Sequence, residues 1–238
     1  MYDLGPLLRS ANVPVTEEAV AKLNRYGEML VDWNARMDLT SVPPEEMAEK
    51  HFLDSLLPLT KEQLFPAGIS LIDVGTGAGF PGLALAVARP DCKVTLLEAM
   101  QKRCQFLQAV CEALTLSNVR VIQNRAEIAG REIEHREQYD RAVARAVAPL
   151  NVLCEYLLPF VKKGGIALCW KGPAAEEELT DGSFAAKELG GEIGEITELF
   201  SHDTRHVIVP IKKITETLPP YPRKNGIPAK RPLKSGKK

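Results

Sequence analysis

The segment that decides the fold is Leu71-Ile72-Asp73-Val74-Gly75-Thr76-Gly77-Ala78-Gly79-Phe80-Pro81-Gly82. An apolar strand ends in an acidic residue, passes through a glycine-rich turn, and leads into the apolar-rich helix at residues 83–88. Glycine lets the backbone adopt a positive φ angle and approach a ligand closely. The segment therefore predicts a strand–turn–helix unit that presents a nucleotide-like ligand to its turn.

The acidic residue of this segment bears on the identity of the ligand. A carboxylate at Asp73 would repel a pyrophosphate, whereas S-adenosylmethionine (SAM) has no phosphate and carries a sulfonium and an ammonium group. Asp73, Gly75 and Gly77 therefore favour SAM, with S-adenosylhomocysteine as the product. Residues 77–82 also fit G-x-G-x-x-G, but Pro81 stands where a pyrophosphate-binding helix should open. A site for NAD and a purely structural glycine turn remain alternatives.

A second acidic residue follows at the distance expected for the next strand. The β-rich run at residues 94–98 ends in Glu98, and a carboxylate at the end of the second strand can accept both ribose hydroxyls. Because NAD-binding proteins use the same device, Glu98 indicates an adenosine with a free ribose and does not distinguish SAM from NAD.

Periodicity along the chain predicts an α/β, Rossmann-like fold of the class I SAM methyltransferase type. Residues 1–66 have helical spacing, and residues 67–215 are expected to form the methyltransferase domain. Within it, strands and helices alternate, which implies a mostly parallel sheet. Strands are expected near 69–74, 93–98, 118–122, 139–144 and 164–170, and helices near 81–89, 100–115, 149–160 and 174–189. Two late β-like runs, Glu192–Phe200 and Arg205–Ile214, predict a closing antiparallel hairpin.

The charge of the chain is concentrated at one end. The net charge is −1, yet residues 212–238 contain nine Lys and Arg and one acid, which makes this segment +8 and the rest −9. We expect residues 216–238 to form a basic, Pro-rich tail, extended from Pro219. Such a tail on an acidic body suggests a polyanionic partner, although a solubilising disordered terminus has the same composition.

Composition argues against several classes of protein. No apolar run approaches the roughly 20 residues that a membrane helix needs, and the first residues lack the pattern of a signal peptide. The five cysteines have neither C-x-x-C spacing nor a Cys/His cluster. We therefore expect a cytoplasmic protein with reduced thiols, no metal site and no membrane contact.

Residues after the strands are the candidate ligand contacts, because open α/β sheets bind ligands beyond the carboxyl ends of their strands. Phe80, Glu127, Arg145 and Lys171 fall there. Each has a structural alternative: a packing wedge for Phe80, a helix cap for Glu127, a surface ion pair for Arg145 and a solvated side chain for Lys171.

The segment after the fourth strand also restricts the acceptor. It reads Ala144-Arg145-Ala146-Val147, without the Asn-Pro-Pro-Tyr or Asp-Pro-Pro-Tyr of exocyclic amine methylases, and no Pro-Cys nucleophile for pyrimidine C5 is present. A guanine N7 lone pair needs neither device and loses no proton. Catalysis would then be chiefly in-line positioning, with no assigned base and Arg145 as the candidate catalytic residue.

Several segments together resemble one family, the bacterial 16S rRNA guanine-N7 methyltransferase G, also called glucose-inhibited division protein B. The resemblance covers nearly the whole chain and rests on residues 34–40, 50–56, 73–82, 124–127, 145–146, 171–172 and 221–226. It implies a Rossmann-like methyltransferase in which residues 1–66 form an N-terminal helical cover. Such an enzyme would methylate N7 of one guanosine in a conserved small-subunit rRNA loop near the decoding region. SAM contacts would fall on Gly75, Phe80, Glu98, Ala126, Glu127 and Arg145.

The partner expected from this reading is 16S rRNA or the small ribosomal subunit, bound by a monomer. The RNA face is predicted to combine helical-cover residues with residues near the strand ends and in the tail: Asn34, Lys50, His51, Lys171, Arg205, His206, Arg223 and Lys224. His51 as a hydrogen-bonded core histidine is an equal alternative. A small-molecule methyltransferase and a non-catalytic RNA-binding protein on the same fold also remain open.

Overall fold

A computed structural model describes residues 3–201 and 204–236, and its centre is one mixed β-sheet. The strands are β1 Ser70–Val74, β2 Lys93–Glu98, β3 Val119–Gln123, β4 Tyr139–Arg145, β5 Val161–Lys171, β6 Gly191–Ile193, β7 Thr197–Ser201 and β8 Thr204–Lys213. The order across the sheet is β3-β2-β1-β4-β5-β8-β6, and β7 also pairs with β8. Strands β1 to β5 run parallel, whereas β8 is antiparallel to its neighbours.

Helices cover both faces of this sheet. They are α1 Gly5–Ser10, α2 Glu17–Met37, α3 Asp54–Leu56, α4 Gly82–Ala88, α5 Gln101–Ala113, α6 Ala126–Ala129, α7 Leu150–Leu157, α8 Leu179–Glu188 and α9 Ile227–Lys230. The mostly parallel sheet with a closing antiparallel pair is the arrangement predicted from the sequence. One buried apolar cluster joins the N-terminal helices to α4 and α5, and a second cluster joins the other sheet face to α7 and α8.

The long N-terminal helix α2 begins and ends with ordinary capping signals. The Thr16 hydroxyl accepts a hydrogen bond from the Ala19 amide at 3.1 Å, and Asp38 ends α2 in the left-handed conformation at φ 52°. The segment that follows α2 is irregular, although the spacing of residues 1–66 predicts helix. It comprises a 3₁₀ turn at Pro44–Glu46, a π-helical segment at Ala48–Leu53 and the short α3.

Three sequence predictions of local structure were wrong in detail. The run Glu192–Phe200 is split into β6 and β7. Between them, β8 presents Pro210, whose carbonyl accepts a hydrogen bond from the Gly194 amide. Because proline has no N–H to donate, the pairing with β8 is interrupted there. The predicted helix 174–189 begins as a 3₁₀ turn, Pro173–Glu178, before α8. The tail is not simply extended, because it contains the short helix α9. Pro228 is compatible with this helix, since it lies in the first turn, where a missing N–H costs nothing.

Within the described ranges, no helix is long and apolar enough to span a bilayer. In the same ranges, no group of three or more His, Cys, Asp or Glu side chains is placed to hold a metal ion.

Candidate functional site

The glycine turn after β1 is organised by a buried carboxylate. Asp73 Oδ2 accepts hydrogen bonds from the Thr76 hydroxyl at 2.6 Å and from the Gly82 amide at 2.7 Å. Its other oxygen, Oδ1, is buried and has no hydrogen-bond partner in the described part of the chain. Burial raises the pKa of Asp73 to about 6, against the opposing effect of these two hydrogen bonds. Asp73 therefore acts beneath the turn and leaves one acceptor unsatisfied.

The end of β2 holds the other side of the same turn. Glu98 Oε2 accepts from the Gly77 amide at 3.0 Å, and Oε1 accepts from the Met100 amide at 2.8 Å. Gly75 and Gly77 have φ angles of 72° and 61°, which glycine adopts without steric cost. Glu98 is thus fixed at the carboxyl end of β2, where it faces a cavity.

That cavity, called here the first cavity, has a volume of about 340 Å³. Its lining comes from the ends of β1, β2 and β3 and from the loop after β4. It includes five predicted or neighbouring site residues: Gly75, Glu98, Ala126, Glu127 and Ala146. The cavity therefore brings together half of the eight residues that the sequence assigned to a SAM site. The other four, Asp73, Gly77, Phe80 and Arg145, are not part of its lining.

Phe80 lies in a stack of rings between the turn and the N-terminal helices. Its ring stacks nearly parallel to the ring of Tyr26, at a centroid distance of 5.2 Å, and to that of His51, at 4.7 Å. The Tyr26 hydroxyl donates to the Ala78 carbonyl of the turn. Because Phe80 is only 5% exposed, its observed contacts are those of a packing residue that fixes the turn against the helical segment.

Arg145, at the end of β4, is held by the π-helical segment and α3. Its Nη1 donates to Asp54 Oδ2 at 2.6 Å and to the Lys50 carbonyl at 2.9 Å, and its Nη2 lies 3.0 Å from His51 Nδ1. An arginine only donates, so Nδ1 of His51 must accept and its Nε2–H donates to the Thr40 hydroxyl at 2.8 Å. Arg145 is therefore paired with a buried acid and not with a surface one.

Asp54 links two side chains in this network, Arg145 and His206. Its Oδ1 lies 2.8 Å from His206 Nδ1, while Oδ2 pairs with Arg145. Burial is the largest influence on Asp54 and would raise its pKa, but the hydrogen bond from His206 and the charge of Arg145 outweigh it and lower the pKa. The same hydrogen bond raises the pKa of His206. Burial, then Arg145, lowers the pKa of His51 to about 4, so His51 is neutral at pH 7.

A second cavity, of about 350 Å³, lies against this network. The charged and ionisable residues that line it are Lys50, His51, Asp54, Arg145, Lys171 and His206, and its remaining lining includes Trp170, Ala148 and Gly172. Ala146 lines both cavities and has a φ of 56°. The two cavities therefore adjoin at the loop after β4.

The predicted RNA-binding residues have different environments. Asn34 hydrogen-bonds both backbone polar groups of Thr40, which is a structural role for its amide. Lys50 pairs with Glu46, and Lys171 pairs with Glu178 at 2.7 Å. Lys50, His51, Lys171 and His206 converge on the second cavity. The side chain of Arg205 lies outside the described part of the structure.

The two predicted tail residues are not near that cavity. Arg223 forms a two-pronged ion pair with the buried Glu155, and Lys224 lies beside Glu127 at a shallow surface depression. The tail is therefore packed against the body on the side of the first cavity.

Sequence reasoning did not assign a role to several residues that the structure brings to the site. Asp54 and Trp170 both line the second cavity, and the Trp170 indole N–H donates to the Asp54 carbonyl at 3.1 Å. Arg103 and Tyr156 line the first cavity. The sequence did contain a signal for Asp54. It is an acidic residue about one helical turn after His51, within the otherwise mostly apolar segment 52–57.

Comparison with known proteins identifies the family. The family model described as rRNA small subunit methyltransferase G matches residues 19–208. The chain belongs to the rRNA small subunit methyltransferase G family. The resemblance and the fold class predicted from the sequence are thereby confirmed.

Two relatives illustrate how far the likeness to this methyltransferase family extends. The ribosomal RNA small subunit methyltransferase G of Alkaliphilus oremlandii is 47% identical over 94% of each chain. The protein of the same name from Desulforamulus reducens is 43% identical, over 98% of this chain and 100% of its own. These values cover the N-terminal helices, the sheet and the tail together.

Solved structures share the fold at low sequence identity. A mutant of MtNAS in complex with S-adenosylmethionine has a TM-score of 0.55 at 16% identity, over 82% of this chain and 75% of its own. TYW2 of M. jannaschii, in complex with AdoMet, has a TM-score of 0.50 at 16% identity, over 65% and 74% of the two chains. These likenesses support the Rossmann-like α/β fold.

The first cavity fits SAM on its own chemistry. The lining includes the carboxylates of Glu98 and Glu127, which suit a ligand with a sulfonium and an ammonium group. Gly75 is exposed in the cavity lining, and carboxylates can accept ribose hydroxyls.

Proposed function

We propose that the protein transfers the methyl group of SAM to N7 of one guanosine in 16S rRNA. The observation that carries this proposal is the meeting of two cavities at Ala146. One is lined by the Glu98 and Glu127 carboxylates, by Arg103 and Arg125, and by Gly75 of the glycine turn; its carboxylates suit the cationic donor. The other is lined mainly by cationic and ionisable groups, and suits part of a polyanion.

The second cavity has the charge expected for an RNA acceptor. Among the lining residues, Lys50, Arg145, Lys171 and His206 contribute cationic or protonatable groups, and Asp54 contributes the one carboxylate. Two acids outside the lining, Glu46 and Glu178, pair with the two lysines. Basic groups of this kind bind phosphates and make affinity salt-dependent. Trp170, Ala148 and Gly172 supply apolar surface beside them, which suits a nucleobase. An RNA nucleotide with one base turned inward accounts for both features.

The chemistry requires little of the side chains beyond position. SAM supplies an electrophilic methyl group on a positively charged sulfur. Guanine N7 has an in-plane lone pair and no proton, so no general base is needed, and His51 with a pKa near 4 is neutral rather than charged beside it. The contribution of Arg145, His51 and Asp54 is to hold the loop after β4 rigidly between the cavities, which is catalysis by orientation.

We propose that the segments of the chain divide the work. Residues 1–66 supply Lys50, His51 and Asp54 to the acceptor side; residues 67–215 supply the donor cavity; residues 216–238 form the tail beside it. Because one chain contributes both cavities, we expect a monomer to be sufficient for activity.

The test is transfer of isotopically labelled methyl from SAM to small ribosomal subunits that lack their native modifications, followed by nucleoside mass spectrometry. The proposal predicts one N7-methylguanosine per subunit. Methyl transfer to a different atom would refute the acceptor assignment. SAM binding without transfer to rRNA would favour a small-molecule acceptor instead, and RNA binding without SAM binding would favour a non-catalytic protein.

A further inference from the structure

The C-terminal strap, defined as residues 217–236, is bound to the body at several points. Arg136 donates to the carbonyls of Thr217 and Tyr221, and Arg131 donates to that of Pro220. Further along, the Asn151 amide donates to the Leu233 carbonyl, and Ser235 donates to Asp181. A segment of such basic, Pro-rich composition is therefore an ordered part of the fold.

The strongest anchor of the strap is a buried ion pair. Glu155 of α7 has a side chain only 1% exposed and accepts from the Arg223 amide, Nε and Nη2 at 2.6 to 3.0 Å. A bidentate pair between guanidinium and carboxylate fixes both position and orientation. Arg223 thus fastens the strap to α7, and its charge is directed inward.

Three residues later, the strap contacts the first cavity. The Gly226 amide donates to Glu127 Oε1 at 2.8 Å, with Gly226 in the left-handed conformation at φ 76°. Glu127 lines the cavity, and its Oε2 has no hydrogen-bond partner among the residues that the structure describes. One carboxylate oxygen is therefore held by the strap, while the other is left for a donor group such as the amino group of adenine.

We propose that Arg223 and Glu155 are positioning residues for SAM, which act by holding Gly226 against the Glu127 carboxylate. This inference rests on the proposed role of the first cavity. It gives the strap a function in cofactor binding that does not depend on RNA. Without the ion pair, the strap loses its fixed point beside Glu127, and the carboxylate loses the bond that selects its orientation.

The test is calorimetric measurement of SAM affinity in the absence of RNA, for Arg223→Gln and a matched control, Asp181→Ala. The control removes an anchor of the same strap, at Ser235, that lies away from Glu127. We expect Arg223→Gln to weaken SAM binding about tenfold, the effect of one or two lost hydrogen bonds. Asp181→Ala should change the affinity less than about twofold, since surface anchors contribute little.

A double-mutant comparison separates positioning from general destabilisation. In a Glu127→Ala background, Arg223→Gln should cause no further loss of SAM affinity, because the group that it positions is already absent. Equal losses in the two backgrounds, or unchanged affinity in the wild-type background, would overturn the proposal. If Arg223→Gln does not fold, Glu155→Gln replaces it, since glutamine keeps an acceptor for the Arg223 amide. A wild-type protein that fails to bind SAM would refute the proposed function itself.

Discussion

Replacing Asp54 by asparagine would test the network that joins β4, β8 and the helical segment. In the wild type, each carboxylate oxygen has its own partner: Arg145 at 2.6 Å and His206 at 2.8 Å. Asparagine keeps one acceptor oxygen and presents an NH₂ group, which also donates, to the other partner. One of the two partners is thereby left facing a donor.

The expected cost follows from the burial of the pair. The side chains of Asp54 and Arg145 are 7% and 13% exposed, so water cannot readily replace the lost partner. A hydrogen bond to a charged group contributes about 1.5–3 kcal/mol, and breaking a buried ion pair costs about 3–5 kcal/mol. Because asparagine retains one acceptor, we expect Asp54→Asn to lower the free energy of unfolding by about 3 kcal/mol.

Urea unfolding of Asp54→Asn and Asp91→Asn provides the assay. Asp91 also pairs with an arginine, Arg89, but that pair is much more exposed, and such surface pairs contribute about 0–1 kcal/mol. The pKa of His206, followed by NMR, should fall in Asp54→Asn because the hydrogen bond that raises it is weakened. A cost for Asp54→Asn no larger than that for Asp91→Asn, with an unchanged His206 pKa, would refute the reasoning.

Three further predictions concern neighbouring residues. Glu98→Ala should weaken SAM binding by about 1–3 kcal/mol through lost hydrogen bonds; unchanged calorimetric affinity would count against the assignment. Because the pKa of His51 is lowered to about 4, the folded state should lose up to about 3 kcal/mol as the pH falls from 6.5 to 4; this loss should disappear in His51→Gln, and an equal loss in both proteins would contradict it. In Gly82→Ala, the new Cβ would lie 2.5 Å from Asp73 Cβ, so we expect destabilisation of about 1–3 kcal/mol; Gly172→Ala, where nothing lies within 4 Å, should be nearly neutral by urea unfolding, and similar costs for the two would be inconsistent with the packing.

The sheet could be predicted because its signals are local. The alternation of apolar runs with helical periods, and the short connection between the last two β-like runs, predict parallel strands followed by an antiparallel pair. Strand ends such as Glu98 could also be placed, since a β-rich run ends there. The split between β6 and β7 could not, because it depends on Pro210 lying opposite this edge.

The contacts that build the candidate site were less accessible to sequence reasoning. Arg145 hydrogen-bonds to residues more than ninety positions earlier in the chain. Whether its acidic partner lies on the surface or is buried depends on tertiary packing. The same holds for the tail, whose composition suggests solvation. Its order comes from acids on the body, Glu127 and Glu155, that accept from it. Pairings at such separation leave no periodic trace in one sequence.

The central claim is that the two cavities bind donor and acceptor separately, and Gly172→Leu tests it most directly. Gly172 lines the second cavity, and a side chain added there meets open space, so leucine should fill the acceptor site without disturbing the first cavity. The measurement pairs calorimetric SAM affinity with methyl transfer to small-subunit RNA, using Gly172→Ala as the control for size. The account predicts unchanged SAM affinity and at least about a tenfold loss of transfer, equivalent to about 1.4 kcal/mol. Undiminished transfer, or SAM affinity lost together with it, would contradict the separation of the two sites.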